Sequence, residues 1–397
     1  MSVRLKRLLY MSEHPPSSVG GQPLIVNKLL RDYDMERLDV LCDKRFHRAD
    51  PLVRGTFLPC RHTVVPNAEG ATNLRPRRVF APLGENVNLL RVGPIMRAAQ
   101  HIVSTHGIDA ILTVPWRCEF ALAAYRLSVA TGLPLYVFET HDWGAMNARF
   151  MAGRLVRRNQ TQLLRHATKL WVTSPAMAER YRECFGVEGE FLFHYLDAEP
   201  YARASAARER LSEPGILRLM YTGAINDMFF DTMLQICRQI HAGLDIDRRG
   251  VELDVYGSAL PAAFRGPHVH YRGLVASDAI PAVLAAADVT LIAVTFDPGS
   301  DLVDLVRTSL YTKTVDYLAA NRPVLIVSPS YAAEVRYFGD VATVVDEPDA
   351  DRIVSALAAL ARDDEAVARQ CERGLEFVRA HHSLARRDEV FLRHFAA

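Results

Sequence analysis

The sequence has few of the features that mark disulfide frameworks, zinc sites or membrane spans. Its six cysteines are scattered along 397 residues without a C-x-x-C pair, a pattern typical of reduced, buried thiols in a cytosolic protein. It has no uninterrupted apolar run of about 18 residues, so we expect no membrane-spanning helix. The N-terminal residues carry charge but no long apolar core, so we expect no signal peptide and a cytoplasmic location.

An excess of charge of either sign is also absent. A net charge of +1 argues against a purely electrostatic nucleic-acid binder. A composition of 23 % charged and 49 % apolar residues is typical of a globular protein, and the length of 397 residues is enough for two or three domains. The charge is nevertheless uneven, with a balance of +7 in residues 1–200 and −6 in the remainder. This asymmetry predicts different partners for the two halves, and the basic half allows peripheral contact with the inner face of a membrane.

Short apolar runs alternate with amphipathic helical patterns, and the pattern restarts after residue 216. This order predicts an α/β fold of two doubly wound parallel sheets, each covered by helices. The predicted parts are a first domain at 1–200, a polar linker at 201–216, a second domain at 217–380 and a C-terminal helix at 381–397 that could pack back towards the first domain. Two such domains would face a central cleft, and ligands of such sheets bind at the carboxyl ends of strands.

Twelve apolar runs are predicted as strands. In the first half they are Leu8–Ser12, Leu38–Cys42, His62–Val65, Ala110–Val114, Leu135–Glu139 and Leu170–Thr173. In the second half they are Leu217–Thr222, Glu252–Tyr256, His268–Tyr271, Val289–Val294, Val324–Val327 and Ala342–Val345.

A cation and a carboxylate lie three residues apart near the start of a helix predicted over Thr308–Ala320. The i, i+3 spacing of Lys313 and Asp316 puts both side chains on one helical face. A helix start favours anions, so Lys313, next to Thr312, is a candidate contact for a diphosphate. Asp316, one turn later, is a candidate acceptor of hydrogen bonds from sugar hydroxyls.

Glycine loops follow several predicted strands. Gly20 and Gly21 follow the first strand and precede a helix, where the backbone can approach a ligand, although the loop lacks the G-x-G-x-x-G fingerprint and a simple connecting turn is the alternative. The second half repeats this arrangement. Its candidate ligand residues at strand ends are Gly223, Ile225, Tyr256, Gly257, Leu274 and Val275, the last two as a nucleobase contact.

Three ionisable residues, Glu139, His141 and Asp142, lie at the end of the strand Leu135–Glu139. Such groups are costly to bury and are rarely placed at a strand's carboxyl end without a function. A carboxylate there could take a proton from an attacking hydroxyl. The alternatives are a hydrogen-bonded interior role for His141 and a helix cap for Asp142. We predict His141 and Asp142 as catalytic residues.

Other polar patterns are predicted to be structural. Asp32 with Asp34, and Asp245 with Asp247, resemble D-x-D metal motifs but lie at the wrong ends of the strands, so we expect no metal site. Ser174 and Pro175 are a helix start. A basic helix could touch an acidic surface or membrane, with a solvated helix face as the alternative. Its cations are Arg149, Arg154, Arg157, Arg158 and Arg165.

The second half resembles the glycosyl transferase group 1 family, and the chain as a whole resembles glycosyltransferases of the GT-B fold. The family pattern Lys-x-x-[Asp/Glu]-Tyr-x-Ala-x-x-x-Pro-Val is matched at Lys313, Asp316, Tyr317, Ala319, Pro323 and Val324. The first half is similar in pattern to the bacterial glucuronosyltransferase of xanthan assembly, through Asp142, the helix start at Ser174–Met177, and Lys313.

The resemblance implies roles for these residues. Lys313 would contact the donor diphosphate and Asp316 the ribose, Ile225, Leu274 and Val275 would lie near the nucleotide, and Asp142 would be the general base. Retaining members of group 1 often carry two glutamates eight residues apart. Here Thr308 occupies the first of these positions and Asp316 the second, which favours inversion.

The resulting hypothesis is a metal-independent transferase without a cofactor. It would move a hexosyl or glycuronosyl group from a UDP- or GDP-sugar to a carbohydrate or lipid-linked acceptor, in polysaccharide or glycoconjugate synthesis, with no role for nucleic acid. Two alternatives remain, a nucleotide-sugar 2-epimerase and a non-catalytic nucleotide-binding partner subunit.

Overall fold

The computed structural model describes residues 4–47, 55–65, 89–143, 153–206, 215–297, 299–362 and 365–397. The chain divides into two compact units. Unit 1 comprises Met1–Phe193 together with Arg387–Ala397, and unit 2 comprises His194–Arg386. Each unit is built around one largely parallel β-sheet with helices between its strands.

Unit 1 has a parallel sheet whose strand order is β3-β2-β1-β4-β5-β6-β7. The order reverses direction between β1 and β4, which is the switch point where ligands bind in doubly wound sheets. Its strands are β1 Leu8–Met11, β2 Leu38–Asp43, β3 Arg61–Val65, β4 Ala110–Thr113, β5 Leu135–Glu139, β6 Lys169–Val172 and β7 Glu190–Phe191. The central strands β1, β2, β4 and β5 are buried at every position because helices cover both faces of the sheet.

The helices of unit 1 pack apolar faces against this sheet. They are α1 Gln22–Leu30, α2 Lys44–His47, α3 Val92–His106, α4 Cys118–Thr131, α5 Gly153–His166 and α6 Pro175–Phe185. The predicted start of α6 is confirmed, since the Ser174 hydroxyl accepts a hydrogen bond from the Met177 backbone N–H at 2.9 Å. Gly107 and Gly132 end α3 and α4 with positive φ angles of 65° and 72°.

The last eleven residues of the chain complete unit 1. The Lys6 N–H donates to the Phe395 carbonyl, and the Ala397 N–H donates to the Arg4 carbonyl. Phe391 is fully buried, and its ring centroid lies 5.2 Å from that of Trp171. Arg387 donates to Asp32 at 2.6 Å, which accounts for one carboxylate of the first D-x-D motif. The C-terminal segment is therefore part of the core of unit 1.

Unit 2 has a second sheet with the order β11-β10-β8-β12-β13-β14, and β9 pairs with β10 as its antiparallel member. Its strands are β8 Ile216–Thr222, β9 Asp245–Ile246, β10 Arg249–Tyr256, β11 Val269–Gly273, β12 Val289–Ala293, β13 Val324–Val327 and β14 Thr343–Val345. The direction of the order reverses between β8 and β12. The carboxyl end of β8 is therefore the expected ligand position of this unit.

The helices of unit 2 include a correction to the sequence-based prediction. They are α7 Glu199–Ala206, α8 Phe230–His241, α9 Ile280–Ala285, α10 Gly299–Thr308, α11 Thr312–Ala319, α12 Ala333–Phe338, α13 Ala350–Ala361, α14 Glu365–His381 and, continuing into unit 1, α15 Leu384–Val390. The single helix predicted over Thr308–Ala320 is wrong. α10 ends at Thr308, Tyr311 is extended with φ −107° and ψ 121°, and α11 begins at Thr312.

The predicted α/β class with two doubly wound parallel sheets is confirmed. The predicted linker 201–216 overlaps α7 and the beginning of β8, and residues 207–214 lie outside the described part of the chain. Within the described residues, no helix is long and apolar enough to cross a membrane.

We expect Phe391→Ala to lower the free energy of unfolding of unit 1 by about 3–5 kcal/mol, the usual cost of emptying a buried aromatic site. Urea denaturation followed by tryptophan fluorescence measures this unit specifically, because Trp116, Trp143 and Trp171 all belong to it. Val129→Ala, at a side chain that is 58 % exposed, is the control and should change stability by less than about 0.5 kcal/mol. Equal effects of the two changes would contradict the assignment of Phe391 to the core.

Candidate functional site

Lys313 lies at the carboxyl end of β8, at the start of α11. Its Nζ donates a hydrogen bond of 2.6 Å to the Tyr221 hydroxyl and lies 4.4 Å from the centroid of the Phe229 ring. Removal from water among these rings lowers the pKa of Lys313 to about 7. Within the described part of the chain no carboxylate forms an ion pair with this ammonium group, which would therefore gain from an approaching anion.

The loop after β8 lies directly against this cation. Tyr221 links the two, because its hydroxyl accepts from Lys313 and donates to the Ala224 carbonyl at 2.9 Å. Gly223 has a φ of 112°, and a Cβ atom there would lie only 3.2 Å from the Lys313 Nζ. Glycine therefore lets the backbone pass close to the cation, and the structure brings the predicted residues Gly223 and Lys313 together.

Three strand ends in unit 2 are joined by backbone hydrogen bonds. The Gly223 N–H donates to the Tyr256 carbonyl at 2.7 Å, and the Gly257 N–H donates to the Gly273 carbonyl at 3.0 Å. A Cβ at Gly257 would lie 2.5 Å from the Gly223 carbonyl oxygen, which is closer than real Cβ contacts. The ends of β8, β10 and β11 therefore form one continuous edge that tolerates only glycine at residue 257.

The predicted nucleobase residues follow this edge. Leu274 comes directly after β11 and is 65 % exposed, while Val275 is partly exposed. Ile225 is partly buried and packs against the apolar core of unit 2. An exposed leucine beside free space at the end of a strand suits contact with a flat apolar ligand surface.

Glu334, at the start of α12, is a residue that sequence reasoning missed. It is fully buried and accepts hydrogen bonds from the Tyr311 backbone N–H at 3.0 Å and from the Thr314 hydroxyl. Burial raises its pKa to about 8. Glu334 therefore holds the first turn of α11, which carries Lys313. No local pattern in the sequence distinguishes it from a solvated glutamate at a helix start.

Asp316 points to partners other than those of Lys313. Its Oδ1 accepts from the Tyr201 hydroxyl at 2.5 Å and lies 3.3 Å from His194 Nε2. Despite their i, i+3 spacing, the side chains of Lys313 and Asp316 therefore contact different residues. The ribose contact predicted for Asp316 stays a prediction, and it would compete with these internal hydrogen bonds.

At the end of β5 in unit 1, Glu139 and Asp142 have internal partners. Glu139 accepts from Trp143 Nε1 at 2.9 Å and from the Tyr181 hydroxyl at 3.3 Å, and burial raises its pKa well above the usual range. Both oxygens of Asp142 lie 3.0 Å from Arg157 Nη1, and Oδ1 also accepts from Gln160 at 3.0 Å. Asp142 is the buried anion of an ion pair.

His141 differs from its neighbours. Its ring is partly exposed and its centroid lies 5.2 Å from that of Trp116. Its Nδ1 is buried and has no hydrogen-bond partner among the described residues. Burial lowers the pKa of His141 to about 4, so the ring is neutral at pH 7. A neutral imidazole with an unoccupied nitrogen can accept a proton.

The loops at the switch point of unit 1 are tied together by polar groups. The carbonyl of Val114, after β4, accepts from the Ser12 hydroxyl at 2.7 Å and from Gln22 Nε2 at 2.9 Å. Glu13 accepts from the backbone N–H groups of Trp116 and Arg117 at 3.2 and 3.1 Å. Burial and the nearby Glu119 raise the pKa of Glu13 to about 8.

The predicted glycine loop of unit 1 lies beside these contacts. Gly20 has a φ of 96°, and a Cβ at Gly21 would meet no atom within 4 Å, so this loop is open. α1 begins directly after it at Gln22. The predicted ligand role of Gly20 and Gly21 stays a prediction.

The remaining polar patterns have structural partners. Asp34 accepts from the Glu36 N–H, and Asp245 accepts from the Arg248 N–H. Among the described residues no group of three or more His, Cys, Asp or Glu side chains could hold a metal ion. In the basic helix, Arg157 pairs with Asp142 and Arg165 donates to the Phe185 carbonyl, whereas Arg149 lies outside the described residues.

Comparison with known proteins places both halves of the chain in one class. The family model described as "Glycosyl transferase 4-like domain" matches residues 37–191, and the one described as "Glycosyl transferase-like" matches residues 236–393. The chain is a glycosyltransferase of the GT-B fold. No curated protein sequence matches it significantly.

Solved structures show the same fold over the whole length of this glycosyltransferase. Sucrose-phosphate synthase from Thermosynechococcus elongatus has 15 % identity and a TM-score of 0.69, covering 99 % of this chain and 100 % of that one. Anabaena Alr3699/HepE, solved with UDP and glucose, has 14 % identity and a TM-score of 0.67 over 98 % and 99 %. A UDP-forming α,α-trehalose-phosphate synthase from Burkholderia xenovorans, solved with glucose-6-phosphate, has 12 % identity and a TM-score of 0.67 over 98 % and 100 %.

The predicted resemblance, fold and glycosyl-transfer activity of the chain are thus confirmed at the level of class. The roles of individual residues and the resemblance to the xanthan glucuronosyltransferase stay predictions.

We expect Gly257→Ala to displace the Gly223 loop and to lower the affinity for UDP by about tenfold or more, equivalent to about 1.4 kcal/mol. Isothermal titration calorimetry measures the affinity. Gly250→Ala, in the strand β10 that precedes Gly257, is the matched control because its Cβ would lie 3.9 Å from the nearest atom, an ordinary contact. Unchanged UDP binding by Gly257→Ala would exclude this edge from the nucleotide site.

Proposed function

We propose that the protein transfers a sugar from a UDP-sugar, bound by unit 2, to a hydroxyl group of a carbohydrate or lipid-linked acceptor, bound by unit 1. The observation that carries the proposal is the Lys313 ammonium at the end of β8, which the Tyr221 hydroxyl and the Gly223 loop hold at the start of α11. A cation beside a glycine loop and a helix start is suited to a diphosphate.

The donor base is proposed to be uracil. Unit 2 offers the exposed Leu274 and the partly exposed Val275 next to the glycine edge, and Alr3699/HepE has been solved with UDP and with UDP-glucose. A GDP-sugar is the alternative. Leu274 would pack against the base, and the backbone groups after β11 would accept or donate its hydrogen bonds.

Lys313 would stabilise the diphosphate as the bond to the sugar breaks. Negative charge develops on the leaving oxygen, and a cation held in a partly dehydrated position acts on it more strongly than one in water. Since this side chain supplies the positive charge, we infer that transfer needs no metal ion. Burial of Lys313 also makes its charge dependent on pH near neutrality.

His141 is the proposed acceptor of the proton from the attacking hydroxyl. Asp142, the other predicted base, has both oxygens bound to the Arg157 guanidinium and is thereby occupied. His141 is neutral, its ring is partly exposed, and its buried Nδ1 has no hydrogen-bond partner among the described residues. Asp142 would instead hold the helix α5 against the end of β5 through Arg157 and Gln160.

UDP affinity should fall by up to about tenfold per pH unit above pH 7, because Lys313 loses its charge near its pKa of about 7. Below that pH the ammonium is charged and binding is full. Lys313→Met should bind UDP weakly at every pH, whereas uridine, which lacks the diphosphate, should bind the variant as it binds the original protein. Calorimetry between pH 6 and pH 9 tests this, and a pH-independent affinity of the original protein would rule Lys313 out.

Glu334→Gln is a second variant for the same calorimetric measurement of UDP affinity against pH. Glutamine keeps an oxygen for the Tyr311 N–H but cannot ionise. Because the pKa of Glu334 is about 8, its carboxyl group becomes charged only as the pH rises above 7, and that charge then favours the ammonium form of Lys313. Above about pH 8, UDP affinity should therefore fall further in the variant than in the original protein. If Glu334 acted only by packing, the variant would lose affinity equally at all pH values.

Turnover should separate the two candidate bases. His141→Ala should lower acceptor-dependent release of UDP by about 10²–10⁴-fold while leaving UDP affinity unchanged. Asp142→Asn keeps an oxygen for Arg157 and should lower turnover by less than about tenfold.

The assay incubates each protein with a panel of UDP- and GDP-sugars, with and without carbohydrate acceptors. The reverse ranking of the two variants would make Asp142 the base. Isomerised donor formed without acceptor would identify an epimerase, and nucleotide binding without any turnover would identify a non-catalytic subunit.

A further inference from the structure

Four aromatic rings form a row along the carboxyl edge of the sheet in unit 1. Phe46, His14, Trp116 and His141 follow β2, β1, β4 and β5, which are neighbours in the sheet. The centroids of successive rings lie 3.7 Å apart for Phe46 and His14, 5.6 Å for His14 and Trp116, and 5.2 Å for Trp116 and His141. Four aromatic side chains from four separate segments of the chain therefore lie next to one another.

This row remains partly open to solvent. All four side chains are partly exposed, whereas Trp143 and Trp171 of the same unit are fully buried. Both imidazole rings are nearly perpendicular to the Trp116 ring, at 86° and 78°. The row therefore presents an apolar surface at Trp116 that is flanked by two partly exposed imidazole rings.

The loops that carry the row are held rigidly. Glu13 accepts from the Trp116 and Arg117 backbone N–H groups, and the Tyr10 hydroxyl donates to the His14 carbonyl at 3.0 Å. These contacts position His14 and Trp116 before any ligand arrives. Partly exposed aromatic groups that are positioned in advance are typical of binding surfaces.

Positive charge surrounds the centre of the row. The Arg45 guanidinium lies 5.4 Å from the Phe46 ring centroid, and its side chain is 34 % exposed. Burial and then the charge of Arg117 lower the pKa of His14 to about 4, and Arg45 contributes in the same direction. Asp43 opposes them, because it lies 3.8 Å from the Arg45 guanidinium and 2.8 Å from that of Arg91. Arg91 also pairs with Glu119 at 3.3 Å, so the three arginines outnumber the two carboxylates. The field at the row is therefore suited to an anion.

We propose that this row is the acceptor subsite and takes a sugar ring that carries an anionic substituent. The ring packs against Trp116 between His14 and His141, and the anion faces Arg45 and Arg117. The inference rests on the proposed function, because a transferase requires an acceptor, and it adds the class of that acceptor. Phosphate and carboxylate substituents share the required chemistry.

A sugar fits this surface better than a purely apolar ligand. The C–H groups of a pyranose ring pack on aromatic surfaces, and its hydroxyl groups need polar partners, which the imidazoles supply. A hydroxyl near His141 would also be next to the partly exposed imidazole that is proposed to take its proton.

Trp116 allows binding to be measured without any donor. Because the other two tryptophans are buried, acrylamide quenching of fluorescence reports mainly on Trp116. The probes are glucose 6-phosphate, glucuronate, glucose and inorganic phosphate. We expect both anionic sugars to shield Trp116 at concentrations at least about tenfold lower than glucose, and phosphate alone to give no shielding.

Variants separate the ring contact from the charge contact, with affinity measured by calorimetry. Trp116→Leu should weaken binding of glucose and both anionic sugars by about tenfold, and Trp116→Phe should restore most of it. Arg117→Gln and Arg45→Gln should weaken only the anionic sugars, by about tenfold. The controls are Phe191→Leu, a partly exposed ring on the edge strand β7, and Arg126→Gln, an exposed cation on α4; both should bind as the original protein does.

The outcomes distinguish this inference from the proposed function. Absence of shielding by every sugar, or equal effects of the variants and their controls, would overturn the inference even if UDP-sugar turnover is observed. Equal binding of glucose and the anionic sugars would overturn the proposal that the acceptor carries an anionic substituent. Normal binding of anionic sugars with no turnover of any donor would overturn the proposed function and leave the subsite standing.

Discussion

The arrangement around Lys313 in unit 2 depends on a buried carboxyl group. Glu334 accepts the Tyr311 backbone N–H and the Thr314 hydroxyl, and so determines where α11 begins and how it is oriented. That orientation puts Lys313 against Tyr221, whose hydroxyl in turn holds the loop that contains Gly223. Burying a carboxyl group without such partners is costly. The position of Lys313 therefore depends on these hydrogen bonds.

Unit 1 uses the same kind of anchor. Glu13 is buried after β1 and accepts backbone N–H groups from the loop after β4, as Glu334 does between α12 and α11. Burial raises the pKa of both carboxyl groups to about 8. In unit 1 a glutamate after a strand therefore positions the partly exposed Trp116. In unit 2 a glutamate at the start of a helix positions the partly exposed Lys313.

Packing also decides which ionisable residue is available for chemistry. His141 and Asp142 are adjacent in the chain and follow the same strand, so the pattern of residues pointed to both. In the folded unit, Arg157 and Gln160 from α5 bind the carboxylate, while the imidazole Nδ1 has no partner among the described residues. Helix α5 lies many residues further along, and no local pattern at residues 139–142 predicts its arginine's choice of partner.

The sequence by itself determined twelve of the strands and the two parallel sheets, because alternating apolar runs and glycine loops depend on local spacing, but it missed the two-residue strands β7 and β9. It placed Gly223 and Gly257 correctly at strand ends but merged α10 with α11, since the break at Ser309–Tyr311 is stabilised by Glu334 from a distant helix. Only the tertiary structure decided the partners of Asp316 and Asp142 and the row from Phe46 to His141. These depend on which loops the strand order brings side by side, and strand order follows from packing of the whole sheet rather than from any short stretch of chain.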